Sequence, residues 1–275
     1  MRKFAWIFFQ TFIFFSVLTS IDAGEVSRQE YLNLLKNYPN LVSSNGDFSK
    51  GEIQVVLDPQ EMADIEKATC RDVGVMMQDK YWLWVNDACI FPNGTKGVYG
   101  RIMWMKSLEG YPGVVVMPVL PNGKIVLNCN YRHATRSWEI ELPRGVVNIG
   151  EETSAAAKRE TMEETGMLVE SLSLLGEIPP DTGLTNTVAA IWMAKVFDQQ
   201  DSQQEASEAI EDILSLTVQE IKQAFLRGSY ECTIKGERKQ IPFRDPFLAY
   251  AILMYELKEA AAIKHLPNFF LLDKD

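Results

Sequence analysis

The chain has 275 residues, of which 47% are hydrophobic and 23% are charged, and its formal net charge is −10 at pH 7. This composition is that of a globular protein and excludes a disordered one. The acidic balance also argues against a partner bound through its nucleic-acid backbone, which would require a basic surface, so no nucleic acid is expected as a partner. A small phosphorylated substrate remains open, because a bound metal ion would supply positive charge locally.

Residues 1–23 have the layout of a secretory signal peptide. Arg2 and Lys3 precede the apolar run 4–18, and the small residue Ala23 offers a position for cleavage. The run is short for a membrane span, which needs about 20 apolar residues. We therefore expect a secreted or periplasmic protein. The alternatives are an anchor that holds the protein to a membrane if the signal is uncleaved, and a buried N-terminal helix.

Residues 24–108 are predicted to form an N-terminal extension of short helices followed by strands. Ser27 and Glu30 have the spacing of a capping box ahead of one helix, and Asp58 has the side chain of an N-cap for a second. From residue 73 the hydrophobic period approaches two, which is typical of strands. The strands are predicted at 73–77, 81–85, 88–91 and 98–105.

Residues 109–265 are predicted to form a single α+β domain. The segment 114–120 is nearly all apolar, as expected for a strand that is covered on both faces. One helix is expected from Thr217 to Gly228 and a longer one from Asp245 to about residue 263. This order indicates helices that flank a mixed sheet. Further strands are predicted at 124–129, 138–142, 171–178, 188–197 and 212–216.

The segment 145–167 reads GVVNIGEETSAAAKRETMEETGM, a glycine-led loop that runs into a helix dense in carboxylates. Glu160, Glu163 and Glu164 are three and four residues apart, so a helix places them on one face. Like charges at that spacing each cost roughly 0.2–0.5 kcal/mol in an isolated helix. Carboxylate oxygens are also the ligands that divalent cations such as Mg²⁺ and Mn²⁺ prefer. The segment is therefore either a metal site or a solvated acidic face.

The fixed positions of this segment resemble the Nudix box, G-x5-E-x7-R-E-U-x-E-E-x-G-U, where U is a bulky aliphatic residue. Thr161 is the one departure, since the pattern has Leu, Ile or Val there, although its β-branched side chain can still pack. The resemblance implies a Nudix-type α/β/α sandwich that hydrolyses a diphosphate with Mg²⁺ or Mn²⁺. The positions that match are Gly145, Glu151, Arg159, Glu160, Glu163, Glu164, Gly166 and Met167.

The resemblance implies a set of metal ligands. Glu160 and Glu164, one helical turn apart, would be the first ligands, and Glu163 would complete the cluster and take part in catalysis. Gly145 would let the backbone approach the ion, with its neighbouring carbonyl as a further ligand. Glu211, which enters the last strand in a Glu-Asp-Ile sequence, would add a ligand from outside the box.

The resemblance also implies a catalytic base in the acidic loop that precedes the last strand. Glu208 is the expected base that activates water, with Glu205 and Glu211 as the other candidates. Arg159 is expected to hold a glutamate in place, and Gly166 is expected to end the helix. Three box residues would thus have structural roles: Glu151, Arg159 and Gly166.

The approach to the box resembles the ADP-ribose pyrophosphatase branch of the Nudix hydrolases. The sequences NYR at 130–132 and WEIELPRG at 138–145 are similar to that branch's QYR and ELPAG, with Arg144 in place of a small residue. The resemblance implies that Arg132 and Glu141 line the substrate pocket and that the strand-rich part of the extension forms a homodimer contact. It implies hydrolysis of ADP-ribose or a nucleotide sugar to a nucleoside monophosphate and a sugar phosphate.

Several alternatives stay open. A dinucleotide or nucleoside-triphosphate pyrophosphatase of the same fold is the nearest, and a non-catalytic nucleotide-binding sensor belongs to another class. A prenyl-diphosphate isomerase would need Cys and His partners, and Cys129 is the cysteine close to the box. The tryptophans could stack on a nucleobase or pack in the core or a dimer contact; they are Trp82, Trp84, Trp104 and Trp138. The cysteines could be bridged or free; they are Cys70, Cys89, Cys129 and Cys232.

Overall fold

The computed structural model describes residues 23–110, 112–199 and 209–264. The predicted signal peptide, apart from Ala23, lies outside these ranges, and so do Glu205 and Glu208. Within the described ranges, the helices are too short or too polar for any of them to cross a membrane.

The N-terminal part packs two helices against a four-stranded antiparallel sheet. Its central strand pairs with each of the other three. Tyr31, Met62, Leu83 and Met103 are fully buried between the helices and the sheet. In chain order the elements are α1 (Ala23–Asn37), β1 (Gln54–Val55), α2 (Pro59–Thr69), β2 (Gly74–Gln78), β3 (Trp82–Ile90) and β4 (Lys96–Trp104).

Of the two helix N-caps predicted in this part, one is observed and one is not. Asp58 caps α2, since its side chain accepts a hydrogen bond from the backbone N–H of Glu61 at 2.8 Å. The prediction that Ser27 caps a helix is wrong, because α1 already includes the residues before it. Instead, the Ser27 hydroxyl donates to the carbonyl of Val75 at 2.6 Å and ties α1 to β2.

The predicted strands 81–85 and 88–91 are one continuous strand, β3. The residues between the two predicted strands, Asn86 and Asp87, are polar, but both are buried and belong to β3. Asn86 donates to the carbonyl of Asp72 at 2.8 Å, and the Asp87 carboxylate pairs with Arg101. Long-range partners, which a local pattern does not reveal, satisfy the polar groups that would otherwise break the strand.

The rest of the chain is built on a seven-stranded mixed sheet that follows the short helix α3 (Met105–Leu108). The main strand order is β11-β6-β5-β10-β9, while β7 pairs with β6 and β8 with β5. Strands β5 and β10 are parallel and the other pairs are antiparallel. The strands are β5 (Gly113–Val119), β6 (Ile125–Arg132), β7 (Ser137–Glu141), β8 (Arg144–Val146), β9 (Met167–Ile178), β10 (Ala189–Gln199) and β11 (Ile210–Leu216).

Helices cover both faces of this sheet. Helix α4 (Thr153–Thr165) packs on one face, and α5 (Val218–Arg227) and α6 (Pro246–Lys264) pack on the other. The predicted α+β class, with a mixed sheet between helices, is confirmed. The sequence did not predict the hairpin of β12 (Ser229–Ile234) and β13 (Glu237–Pro242), which covers the same face as α5 and α6.

Candidate active site

Gly145 provides a seat for a carboxylate against the backbone of the sheet. It lies in β8, paired with Val114 of β5. A Cβ atom at residue 145 would fall 1.9–2.2 Å from three atoms of the Glu160 carboxylate, so this carboxylate occupies the space that a side chain would take. Any residue larger than glycine would displace Glu160, which explains why a glycine precedes the acidic helix.

The guanidinium of Arg159 ties the loop before α4 to the helix. Its Nε and Nη2 donate to Glu151 at 3.1 and 3.0 Å, and Nη2 also donates to the carbonyl of Val146 at 2.9 Å. Its Nη1 donates to Glu160 at 2.7 Å and to Glu163 at 2.8 Å. The hydrogen bonds from Arg159 hold the pKa of Glu151 below its ordinary value and raise the pKa of Arg159 itself. Arg159 thus connects the loop to the helix through its hydrogen bonds.

Glu164 is held from the sheet side. It is 2% exposed, and its Oε2 accepts hydrogen bonds from Nδ2 of Asn128 in β6 and from the backbone N–H of Arg144 at 3.3 Å. Glu160 is also buried, whereas 29% of the Glu163 side chain is exposed. The helix therefore turns two carboxylates toward the sheet and leaves the third at the rim.

These residues form what we call the box cluster, which has four carboxylates and one guanidinium, and all the carboxylates except that of Glu164 contact this guanidinium. Across the described ranges, no group of three or more His, Cys, Asp or Glu side chains is already arranged as a metal site, and Nη1 of Arg159 bridges Glu160 and Glu163. The donor set nevertheless fits a hard divalent cation, since it offers carboxylate oxygen atoms and an excess of negative charge. The members are Glu151, Arg159, Glu160, Glu163 and Glu164.

The two ends of the box pattern have simple structural explanations. Thr161, the departure from an aliphatic residue, is fully buried, and its hydroxyl donates to the carbonyl of Ala157 at 2.7 Å. The helix thus satisfies the hydroxyl internally, and the remaining methyl group packs as a valine would. Gly166 ends α4 with a φ of 70°, and its N–H donates to the carbonyl of Met162 at 2.9 Å.

A cavity of about 690 Å³ opens beside Gly145. The N-terminal sheet forms one wall with Trp82, Ile102 and Trp104, and the two tryptophan rings meet edge to face at 5.4 Å. The loop between β9 and β10, strands β5 and β7, and the start of α6 form the others. The N-terminal extension therefore contributes directly to the cavity.

The loop between β9 and β10 is attached to the N-terminal sheet. The backbone N–H of Ile102 donates to the carbonyl of Leu184 at 3.0 Å, and the Tyr99 hydroxyl donates to the carbonyl of Gly183 at 2.8 Å. This is the loop that was predicted between the strands at 171–178 and 188–197. Its attachment fixes the distance between the tryptophan wall and the sheet that carries Gly145.

The cavity is also lined by a second charged group, which we call the wall cluster. Arg132 and Arg144 each pair with one oxygen of Glu141, which is 2% exposed. Arg132 and Glu141 both line the cavity, and their role in binding a substrate stays a prediction. Nη1 of Arg144 lies 3.8 Å from the carboxylate of Asp245. Burial raises the pKa of Asp245, although the charge of Arg144 acts in the opposite direction. The members are Arg132, Glu139, Glu141, Arg144, Arg244 and Asp245.

Glu211 lies apart from the box cluster in its contacts. Its Oε1 accepts a hydrogen bond from the backbone N–H of Lys235, in the turn between β12 and β13, at 3.2 Å. No hydrogen bond or ion pair found within the described ranges joins it to a box glutamate. Its predicted role as a metal ligand stays a prediction, and so does the role of Glu208 as the base.

The described cysteines are free thiols. Cys70 is exposed, and the other three are buried. Cys129 lies in the core beneath α5 and α6, on the face of the sheet opposite α4. Its position places it away from the lining of the cavity, so the structure gives no support to an isomerase that would use this thiol.

Sequence reasoning missed three residues of the site. The sequence predicts Asn128 only as part of a strand and Asp245 only as a helix start, and it predicts no role for Arg244. Asn128 carried a signal, because it is a polar residue inside the run IVLNC of a buried strand. Arg244 and Asp245 carried none, since their partners lie more than 100 residues earlier in the chain.

Comparisons with known proteins agree with this geometry. Residues 111–233 match the family described as the NUDIX domain. The chain is 24% identical over 159 residues to the ADP-ribose pyrophosphatase of Bacillus subtilis (strain 168), a match that covers 56% of this chain and 78% of the relative. It is 31% identical over 102 residues to the ADP-ribose pyrophosphatase of Saccharomyces cerevisiae, which covers 35% of this chain and 44% of that relative.

Two further proteins are similar to this chain. The methanol dehydrogenase activator of Bacillus methanolicus is 28% identical over 120 residues, which is 43% of this chain and 65% of that protein. A solved structure described as an ADP compounds hydrolase superposes with a TM-score of 0.51 at 16% identity, covering 69% of this chain and 91% of that one. At this identity the structural match establishes the fold alone.

Proposed function

The chain belongs to the Nudix hydrolases through its domain at residues 111–233, and on that premise we propose that it hydrolyses the diphosphate of ADP-ribose or a nucleotide sugar. The products would be a nucleoside monophosphate and a sugar phosphate. The observation that carries the proposal is the box cluster, where three carboxylates share one guanidinium and that of Glu160 lies against Gly145, which lines a cavity of about 690 Å³.

We propose that Mg²⁺ or Mn²⁺ is the cofactor and that Glu160, Glu163 and Glu164 hold it. A bound divalent ion supplies Lewis-acid stabilisation of the negative charge that develops on a diphosphate. The ion would bind the other oxygen of each carboxylate or would replace the contacts that Nη1 of Arg159 makes with one oxygen of Glu160 and one of Glu163. The Nε and Nη2 of Arg159 could keep their hydrogen bonds to Glu151 and the backbone, so the loop would stay attached to the helix.

The cavity suits a substrate with one aromatic end and one anionic end. Trp82 and Trp104 offer an aromatic wall on which a nucleobase could stack. Arg132 and Glu141 also line the cavity, where they could bind the hydroxyl and phosphate oxygens of the substrate. The diphosphate would then lie next to Gly145 and the carboxylate of Glu160.

We propose Glu163 or Glu208 as the group that orients or deprotonates the attacking water. Glu163 fits this role because it lies at the rim of the box cluster and remains partly exposed. The variants Glu163→Gln and Glu208→Gln would distinguish the two. The base is the residue whose replacement removes the acidic limb of the pH–rate profile, whereas loss of the other residue lowers the rate at all pH values.

The proposal is tested with a substrate panel. The purified protein is incubated with ADP-ribose, a nucleotide sugar, a dinucleoside polyphosphate and ATP, each with Mg²⁺, with Mn²⁺ and with EDTA, and the products are separated by chromatography. Turnover of ADP-ribose or the nucleotide sugar, lost in EDTA and restored by metal, is expected. Turnover of only the dinucleoside polyphosphate or ATP would instead identify the alternative pyrophosphatase. Nucleotide binding without turnover would indicate a sensor.

We also propose that the protein forms a homodimer through the N-terminal sheet. Met77, Tyr81 and Trp84 are exposed on this part of the molecule, and large exposed apolar groups mark interaction surfaces. Light scattering should give twice the chain mass for the wild type and a single chain mass for Trp84→Glu. A wild-type monomer at micromolar concentration would contradict this proposal.

The proposal of export rests on the sequence of residues 1–23. Expression of the full chain with a C-terminal tag, followed by N-terminal sequencing, should give a mature protein that begins at Gly24. Recovery of the intact N-terminus in the membrane fraction would support the uncleaved anchor instead.

A further inference from the structure

Strand β6 carries an amide on a face that is otherwise suited to apolar side chains. Ile125 and Leu127 belong to the core beneath α5 and α6, whereas Val126 packs in the core beneath α4 with Ala157. Side chains alternate along a strand, so Asn128 faces α4. It is 1% exposed. An aliphatic residue there would continue the packing of Val126, and the presence of an amide requires a reason.

The hydrogen bonds of Asn128 do not stabilise the sheet in which it lies. Its Nδ2 donates to Oε2 of Glu164, and its Oδ1 has no hydrogen-bond partner among the described residues. A buried acceptor without a partner destabilises a fold, since its hydration is lost without replacement. The unpaired Oδ1 of this side chain therefore destabilises the fold, and its Nδ2 makes a favourable hydrogen bond to one carboxylate of the box cluster.

The same oxygen of Glu164 also accepts the backbone N–H of Arg144, at 3.3 Å. Two donors from two different strands, β6 and β8, thus converge on Oε2. They restrict the rotation of the carboxylate about its Cγ–Cδ bond and thereby fix the direction in which Oε1 points. The donor from Arg144 belongs to the backbone and is independent of the side chain, so Asn128 is the part of this arrangement that the sequence can change.

We propose that Asn128 is a positioning residue of the metal site, which holds the Glu164 carboxylate in the orientation that binds the divalent cation. This inference rests on the proposed function, because it assigns Glu164 as a metal ligand. Hydrogen-bond partners of metal ligands typically change metal affinity by about 10–100-fold when they are removed. Asn128 acts through Glu164 and needs no contact with the substrate.

The test is the variant Asn128→Leu, which has a similar branched shape and removes both the donor to Glu164 and the unpaired acceptor. Mn²⁺ affinity is measured on the metal-free protein by the electron paramagnetic resonance signal of free Mn²⁺, and the melting temperature is measured on the same sample. We expect Mn²⁺ binding to weaken about 10–100-fold while the melting temperature of the metal-free protein is unchanged or higher. If Asn128 had only a structural role, the variant would have a lower melting temperature and an unchanged Mn²⁺ affinity.

The matched control is Asn130→Leu, on the same face of the same strand. Its Nδ2 donates to Glu141 at 3.3 Å, and this variant should leave Mn²⁺ affinity unchanged. If Asn128→Leu does not fold, Asn128→Ala removes the same two groups without adding bulk, and the same weakening is expected.

The outcomes separate this inference from the function on which it rests. A wild type that binds Mn²⁺ and an Asn128 variant that binds it equally well overturn the positioning role alone. A lower melting temperature with unchanged Mn²⁺ affinity also overturns it. A wild-type protein that binds no Mn²⁺ overturns the proposed function and this inference together.

Discussion

The box cluster and the wall cluster are both rich in buried carboxylates, yet their charge balance differs. In the box cluster, three of the four glutamates share the single guanidinium of Arg159, and Glu164 accepts hydrogen bonds from Asn128 and the backbone of Arg144. In the wall cluster, three carboxylates face three guanidinium groups, and each acid has an arginine partner. Carboxylates packed together without enough cations repel one another, whereas balanced pairs do not.

This difference suggests a division of labour between the two clusters. The box cluster has more negative than positive charge and would gain positive charge from the proposed divalent ion, which would suit the phosphate end of a substrate. The wall cluster has its cations built in, and so it can hold the shape of the cavity without an ion. The number of acidic residues alone does not distinguish the two clusters. The number of arginines that contact those acidic residues does.

The largest effect is expected from Glu164→Gln in the box cluster. It removes a charge that the proposed metal site requires, and turnover of ADP-ribose at saturating substrate should fall about 10³-fold. This corresponds to several kcal/mol of lost stabilisation at about 1.4 kcal/mol per factor of ten. Glu139→Gln in the wall cluster is the comparison, and its dependence on metal concentration should match the wild type. Full turnover by Glu164→Gln would remove the metal-site assignment.

Gly145→Ala tests the seat for Glu160. A Cβ atom there would lie 1.9–2.2 Å from the Glu160 carboxylate, which must move, and Mn²⁺ affinity should fall about 10–100-fold. Gly113→Ala is the matched control, because a Cβ at residue 113 would lie 3.5 Å from the carbonyl of Gly145, an ordinary contact. Titration of both variants with Mn²⁺ measures the effect. Equal affinities would mean that Glu160 is not held at the metal site.

Arg144→Ala tests the balance of the wall cluster through stability. Glu141 and Asp245, whose side chains are each 3% exposed, would lose a cationic partner, and the free energy of unfolding should fall by about 1–3 kcal/mol. Urea denaturation measures it. Arg244→Ala should have a smaller effect, because 58% of the Arg244 side chain is in solvent. If both variants lowered the free energy of unfolding equally, the buried ion pairs of Arg144 would not stabilise the wall cluster more than the exposed pair of Arg244.

The smallest effect is expected from Glu151→Gln, through pH. Hydrogen bonds from Arg159 lower the pKa of Glu151 in the folded protein below its ordinary 4.5. The ionised carboxylate therefore stabilises the fold above pH 4.5, and this contribution is lost as the pH falls through the lowered value. The wild type should be more stable than Glu151→Gln near pH 7, with the difference disappearing on acidification. A difference independent of pH would show that the charge of Glu151 does not matter.

The sequence determined the box cluster because the positions that form it are close in the chain. A helix places residues three and four apart on one face, a glycine is needed wherever another group occupies the position of a Cβ, and both rules act within the segment 145–167. The same local rules predicted most strands and the capping of α5 by Thr217. They failed at β3, where distant partners satisfy the polar pair Asn86 and Asp87.

Only the tertiary structure decided the wall cluster and the role of Asn128. Arg244 meets Glu139 across 105 positions of the chain, and Asn128 meets Glu164 across 36. No spacing rule connects such residues, because strand order and helix packing set their distance. The sequence thus determined which local groups could bind a cation, and the fold decided which carboxylates receive an arginine and which are left to share one.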